Sequence, residues 1–237
     1  MAIGLLLTAL LCAGCGAETP SPAPESPPAS PQQGAVPAPE ATVETEDHVL
    51  MTMELPPMAD GRTLTCQAIG KKRADADQWG VREIRVYDGE HLLQTLLVQD
   101  AIDTDGVSGA VGEGYTDCPL IDELMSAQDM NFDRIPDIAL FAWTPAGANI
   151  PRYYWLWDES AACFRYGFCL PNAVPDQETE QIVCSTTWSR GFFTEYYAYD
   201  PQGALQLVYT LSETYQIDGS HTREAYRLVD GTLVREE

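Results

Sequence analysis

An all-β fold is what the chain predicts for its folded part, either a small or irregular β-propeller-like domain or a β-sandwich, and three observations carry that expectation. Short β-rich runs recur with turn residues between them, and no long segment keeps a helical period. In RYYWLW, 152–157, Tyr153, Trp155 and Trp157 share one face of a strand while Tyr154 and Leu156 share the other, so neither face is polar and both must be covered. GFFTEYYAY, 191–199, repeats the pattern less strongly. Antiparallel strands buried on both sides occur where small sheets stack, as blades do in a propeller and inner strands in a sandwich. These aromatics are therefore expected in the core, with an exposed ligand platform as the other reading.

Ahead of the β-rich part lie two segments of different character. Ile3 to Leu11 is an uncharged apolar run, short of the ~20 residues a membrane span needs but suited to the centre of a signal peptide. Cys12-Ala13-Gly14-Cys15 then resembles a bacterial lipobox, which implies a lipoprotein signal peptide over 1–15 and a diacylglycerol on Cys15. The start lacks Lys and Arg, and Cys12 stands where Leu is usual; an ordinary cleaved secretory signal and a buried helix remain the other readings. Residues 16–47 hold eight prolines and six acids with no basic or aromatic residue. Such a chain buries too little apolar surface to offset its ordering entropy, so a disordered, extended linker is expected. At ~3 Å per residue where extended, it would hold a head clear of a membrane or wall.

The head, 48–237, is long enough for one domain with a substantial core. All 22 aromatics of the chain lie from Trp79 onward. Beyond the linker's six acids, 30 acidic residues face 13 basic ones, which argues against nucleic acid as a partner. A basic protein or a cation is compatible with that charge, as is plain solvation. Cys66, Cys118, Cys163, Cys169 and Cys184 are candidate disulfide cysteines, an odd number that allows two bridges and a thiol; buried free thiols are the alternative. No C-x-x-C pair occurs in the head, which disfavours zinc.

Turn chemistry divides the head into strands. Residues 82–98 read as two runs joined at Asp88-Gly89; the run from Ala198 to Leu207 turns at Asp200-Pro201-Gln202-Gly203, and that from Tyr226 to Val234 at Asp230-Gly231. IALFAW, RYYWLW and ACFRYGF make three further strands, and Leu120 to Gln128 suits one short helical turn. DAIDTDG, 100–106, with Asp100, Asp103 and Asp105, reads as an ordinary turn, or else as a donor of one more oxygen to the loop described next or as a second weak ion site.

That loop is DMNFDRIPD, 129–137. Asp129, Asn131 and Asp133 place side-chain oxygens at alternate positions, Ile135 would add its backbone carbonyl and Asp137 a further carboxylate. Ca2+ takes six to eight hard oxygens at ~2.3 to 2.6 Å, and one tight loop with alternating ligands can supply most of them. The site is not an EF-hand: Arg134 stands where Gly is required, Leu140 where the bidentate Glu would be, and a buried strand follows. A calcium-free vestige and a chance acidic turn are the other readings.

Asp-x-Asn-x-Asp-x-x-x-Asp leading into an apolar strand resembles the calcium loops of integrin-α-type (FG-GAP or VCBS-like) propeller blades. DMNFDRIPDIALF, the aromatic hairpin and TEYYAYDPQGALQLV together resemble a family of bacterial lipoproteins carrying one such loop on a propeller-like domain, over roughly Met130 to Leu211. In at least one branch the members are immunity proteins that inhibit lysozyme-like secreted toxins. The resemblance implies Ca2+ as cofactor, an extracytoplasmic location on a lipid anchor, at the cell surface or in the periplasm, and a secreted hydrolase or other protein as partner. Family loops commonly have Gly at the position of Arg134.

No enzyme is expected. His48, His91 and His221 are scattered, VSGA around Ser108 is not a nucleophile elbow, and metalloprotease, phosphate-loop and dinucleotide signatures are missing from the sequence. The alternatives to a binding module are a carbohydrate-processing propeller enzyme and a structural envelope lipoprotein.

Overall fold

Residue pairs that tolerate left-handed backbone set the strand breaks. Gly89 has φ +57° between the third and fourth strands, and Asp230 (φ +49°) and Gly231 (φ +77°) form the paired positive-φ turn that suits the twist of a two-residue hairpin. The computed structural model describes residues 46–58, 60–72, 78–105 and 114–236. Within them the chain forms three antiparallel sheets, none closed, each a meander in which strands adjacent in sequence pair. The first holds β1 (His48–Glu54), β2 (Leu64–Lys72), β3 (Trp79–Asp88) and β4 (His91–Leu97). After helix α1 (Val98–Asp105) and a single 3-10 turn (Ile121–Glu123) comes the second, β5 (Met125–Gln128), β6 (Asp137–Phe141), β7 (Pro151–Asp158) and β8 (Cys163–Pro171). The third has six strands: β9 (Ala173–Asp176), β10 (Gln181–Trp188), β11 (Gly191–Tyr199), β12 (Leu205–Tyr215), β13 (His221–Val229) and β14 (Thr232–Arg235).

The second sheet is the middle layer, and its side-chain alternation shows why. Ile138, Leu140, Tyr153, Trp155 and Trp157 join one apolar cluster with Leu64, Ile84 and Val86 of the first sheet. Ala139 and Tyr154, the residues between them, join a second cluster with Ala173, Ile182 and Cys184 of the third. The two-faced pattern of RYYWLW is thus met by one sheet on each side. Edge-to-face contacts fill the first interface, with Tyr153, Trp155 and Tyr166 mutually 5.6 to 6.1 Å apart and Trp157 at 5.0 Å from Phe164. The all-β expectation holds: successive meanders are blade-like, and the layers stack as in a sandwich.

Several expectations are corrected. Residues 98–105 are helical, because Val98, Ala101 and Ile102 recur at the spacing of one helix face and pack on the first cluster, where a strand end at Val98 and a turn over 100–106 were expected. The one short helical turn expected within Leu120 to Gln128 is there, at Ile121–Glu123, while Met125–Gln128 is a strand. Strand β11 is half-buried along most of its length, with Phe192 50 % exposed: Tyr197 and Tyr199 pack inward on the second cluster, while Tyr196 and Ala198 line an open groove on the other face. No disulfide joins Cys66, Cys118, Cys163, Cys169 or Cys184, the alternative to the two bridges. Burial pushes the Cys66 and Cys184 thiols up to about 12 and Cys118 to about 11, which keeps them protonated and unreactive at neutral pH. The signal peptide, Cys15, nearly all of the linker and Ser108 lie outside the described residues.

Candidate functional site

Strands β5 and β6 pair with Gln128 opposite Asp137, so the segment between them closes a hairpin and its first and last acids are brought together by the ladder. Phe132 (φ +63°) and Arg134 (φ +69°) both take left-handed backbone, which lets so short a loop reverse twice. For a non-glycine residue that conformation costs ~1 kcal/mol or somewhat more, so Phe132 and Arg134 stand where glycine would be less strained. The Arg134 side chain is exposed and forms no ion pair with a described acid.

The loop's backbone donors turn toward its acids. The Asp129 carboxylate accepts the N–H of Asp133 at 3.2 Å and that of Arg134 at 3.0 Å, and Asp133 accepts the N–H of Ile135 at 2.7 Å. The Asn131 side chain joins this ring: its oxygen accepts the Asp133 N–H at 3.3 Å and its amide donates to Asp133 at 2.9 Å. Asp137 is different in kind. It is 1 % exposed, and its two oxygens accept the N–H groups of Met130 and Trp157, both at 2.8 Å, so one carboxylate ties the loop to β7. Desolvation pushes this carboxyl up to about 7 against the pull of those two N–H groups, and the charges of Asp133 and Asp129 push the same way. The Ile135 side chain is buried in the first cluster.

Asp129, Asn131, Asp133, Ile135 and Asp137 thus belong to one loop with a wholly oxygen donor set, the chemistry of Ca2+ or Mg2+ rather than of zinc or copper. Carboxylates alone do not make the set. Among the described residues no three His, Cys, Asp or Glu side chains are arranged to hold a metal, so a bound ion would depend on the Asn131 amide oxygen and a backbone carbonyl beside the acids. His48, His91 and His221 stand on β1, β4 and β13, and Asp100 and Asp103 on α1, where Gln99 donates to Asp103 at 2.6 Å.

Two contacts from the third sheet reach this loop, and sequence reasoning missed them. Gln177, in the turn between β9 and β10, donates to the Asp129 carbonyl at 3.2 Å. Tyr199 meets the Phe132 ring edge-on, 6.5 Å between centroids. Its hydroxyl is buried without a hydrogen-bond partner among the described residues. Tyr199 and Asn131 also line an open cleft of about 490 Å³ together with Trp157, Asp158 and Arg165. Tyr199 stands inside the quoted TEYYAYDPQGALQLV stretch, but nothing in its neighbours signals this contact.

No family model matches the chain, and no curated protein does. Two solved structures are similar to it. One, described as a Xanthomonas type IV secretion system related protein, is 9 % identical over 79 % of this chain and 99 % of that one, with a TM-score of 0.47. The other, a protein of unknown function from Bacteroides fragilis, is 8 % identical over 79 % of this chain and 89 % of that one, with a TM-score of 0.27. Both likenesses are distant, and neither bears on what the protein does.

Proposed function

We propose that the protein is a lipid-anchored extracytoplasmic binding module, tethered through Cys15 and the proline-rich linker, whose loop at 129–137 holds Ca2+ and whose head binds and inhibits a lysozyme-like hydrolase. The loop carries this reading. Three acids and an amide are gathered on one hairpin, and their mutual repulsion calls for a cation. The buried Asp137 carboxylate adds to that demand, since a charge removed from water needs a partner of opposite sign. The acidic head suits a cationic partner enzyme by charge, and the hydrolase class itself comes from the lipoprotein resemblance.

Calcium is tested by thermal melting of the full chain. Added Ca2+ raises the melting temperature and a chelator reverses the rise; Asp133→Ala, which deletes an exposed ligand, abolishes the response. Unchanged melting in both conditions would sink the metal site. The partner is tested by turnover of bacterial cell wall by a panel of cationic muramidases. Inhibition by the full chain at stoichiometric concentration supports the reading, and loss of no activity across the panel removes it. Hydrolysis of glycans by the protein alone would replace it with the carbohydrate-processing enzyme.

A further inference from the structure

The face that the second sheet turns toward the third is covered only in part. Strand register puts Ser126 and Gln128 of β5, Ala139 and Phe141 of β6, and Arg152 and Tyr154 of β7 on that face. Ala139 and Tyr154 meet Ala173 and Ile182 of the third sheet, whereas between Ala173 and the β5 edge a cleft of about 370 Å³ stays open. Tyr154, Ile150 and Ala173 give it an apolar side, and Ser126, Gln128, Asn172 and Arg152 a polar one. Asn172 fixes its wall: the side-chain oxygen accepts the Ile150 N–H at 2.9 Å, and the amide donates to the carbonyls of Ser185 at 2.9 Å and Ala148 at 3.3 Å. The cleft is therefore built before any ligand arrives.

Arg152 is the one charged residue among the described residues that line it. In a chain with 36 acids against 13 bases, most arginines among the described residues hold a carboxylate, as Arg85 holds Glu83 at 2.7 Å. Arg152 is half-buried and forms no ion pair with a described acid. One of its N–H donors goes to the Glu123 carbonyl at 3.1 Å, and the guanidinium lies over the Phe141 ring, 5.8 Å from its centroid. A cation drawn partly out of water without an anion is costly, and the guanidinium fork matches a carboxylate through two parallel N–H···O bonds. Tyr154, 1 % exposed, is a second unused donor: its hydroxyl has no hydrogen-bond partner among the described residues. Burial raises this phenol above its ordinary value, with the Arg152 charge pulling the other way, so it keeps its proton.

We infer that the cleft binds an organic carboxylate with a short apolar body, the carboxylate on the Arg152 fork and the body against Tyr154, Ile150 and Ala173. Ser126 and Gln128 bring further donors to its rim. The free C terminus of a peptide and a short-chain carboxylic acid share this chemistry. None of residues 129–137 lines the cleft, so the inference stands apart from the calcium reading.

The test titrates the full-length chain calorimetrically at neutral pH with hexanoate, with N-acetyl-alanyl-alanine and with the C-terminal amide of that dipeptide. Both acids bind at one site and the amide does not; the tighter acid identifies a peptide end or a simple acid as the better occupant. Arg152→Gln weakens both acids by about 10-fold or more, the loss expected when hydrogen bonds to a charged group go. Because Arg152 also braces Glu123 and Phe141, Gln128→Glu is the second variant. It changes an exposed side chain to one of nearly the same shape, and its negative charge repels the ligand and weakens binding several-fold. Circular dichroism checks that each variant keeps the parent's fold. Equal binding of acids and amide would reduce the cleft to an apolar depression and overturn the inference, as would binding of no probe or parental affinity in either folded variant.

Discussion

Asp137 holds the loop closed through two backbone N–H groups, and its charge is the costly part of that arrangement. Because burial raises its folded pKa to about 7, above the ordinary carboxylate value, the folded state without metal favours the protonated form. The stability this group contributes is full at pH below about 4 and is lost as pH rises through about 7. In chelator, the unfolding free energy of the full chain therefore falls over that window, as measured by urea denaturation at stepped pH. The fall is shallower for Asp137→Asn, whose side chain does not ionise, and for the parent in saturating calcium. At Arg134 the backbone takes positive φ, a conformation that glycine adopts without strain and that nothing in the arginine itself signals.

At the scale of the element, β7 shows how far a strand's pattern reaches. Its alternation demanded cover on two faces, and two sheets supply it. Trp155, 2 % exposed between the first and second sheets, should cost ~3 to 5 kcal/mol on truncation to Ala. Phe192 on β11, 50 % exposed, should change stability by no more than about 0.5 kcal/mol when cut to Ala. Denaturant melts of the two variants check the contrast, and a large loss at Phe192 would mean that something covers the third sheet's outer face. The patterns of β7 and β11 look alike in sequence because period-2 apolarity reports only that a strand is apolar on both sides. The helix at 98–105 was legible in principle from Val98, Ala101 and Ile102, but the neighbouring Asp and Thr residues are equally at home in turns.

For the whole molecule the governing quantity is charge. With 36 acidic residues against 13 basic, self-repulsion opposes the compact state. Raising NaCl from about 10 mM to about 150 mM shortens the screening length from roughly 30 to 8 Å and should raise the melting temperature in chelator. Calcium at micromolar to millimolar levels should add a further rise that NaCl of equal ionic strength does not reproduce. Equal effects of the two salts would point to screening in place of a site.

The amino-acid sequence by itself determined the local grammar: Asp-Gly hairpins, strands apolar on two faces, and the loop with oxygens at alternate positions. Each of these is written within about ten consecutive residues, where backbone preference and side-chain period act directly. Only the tertiary structure decided which sheet covers which face, that the five cysteines form no disulfide, and that Tyr199 and Gln177 reach the loop from another sheet. Gln177 and Asp129 are 48 positions apart, and contacts at such separations follow from how complete sheets stack, which no local preference encodes.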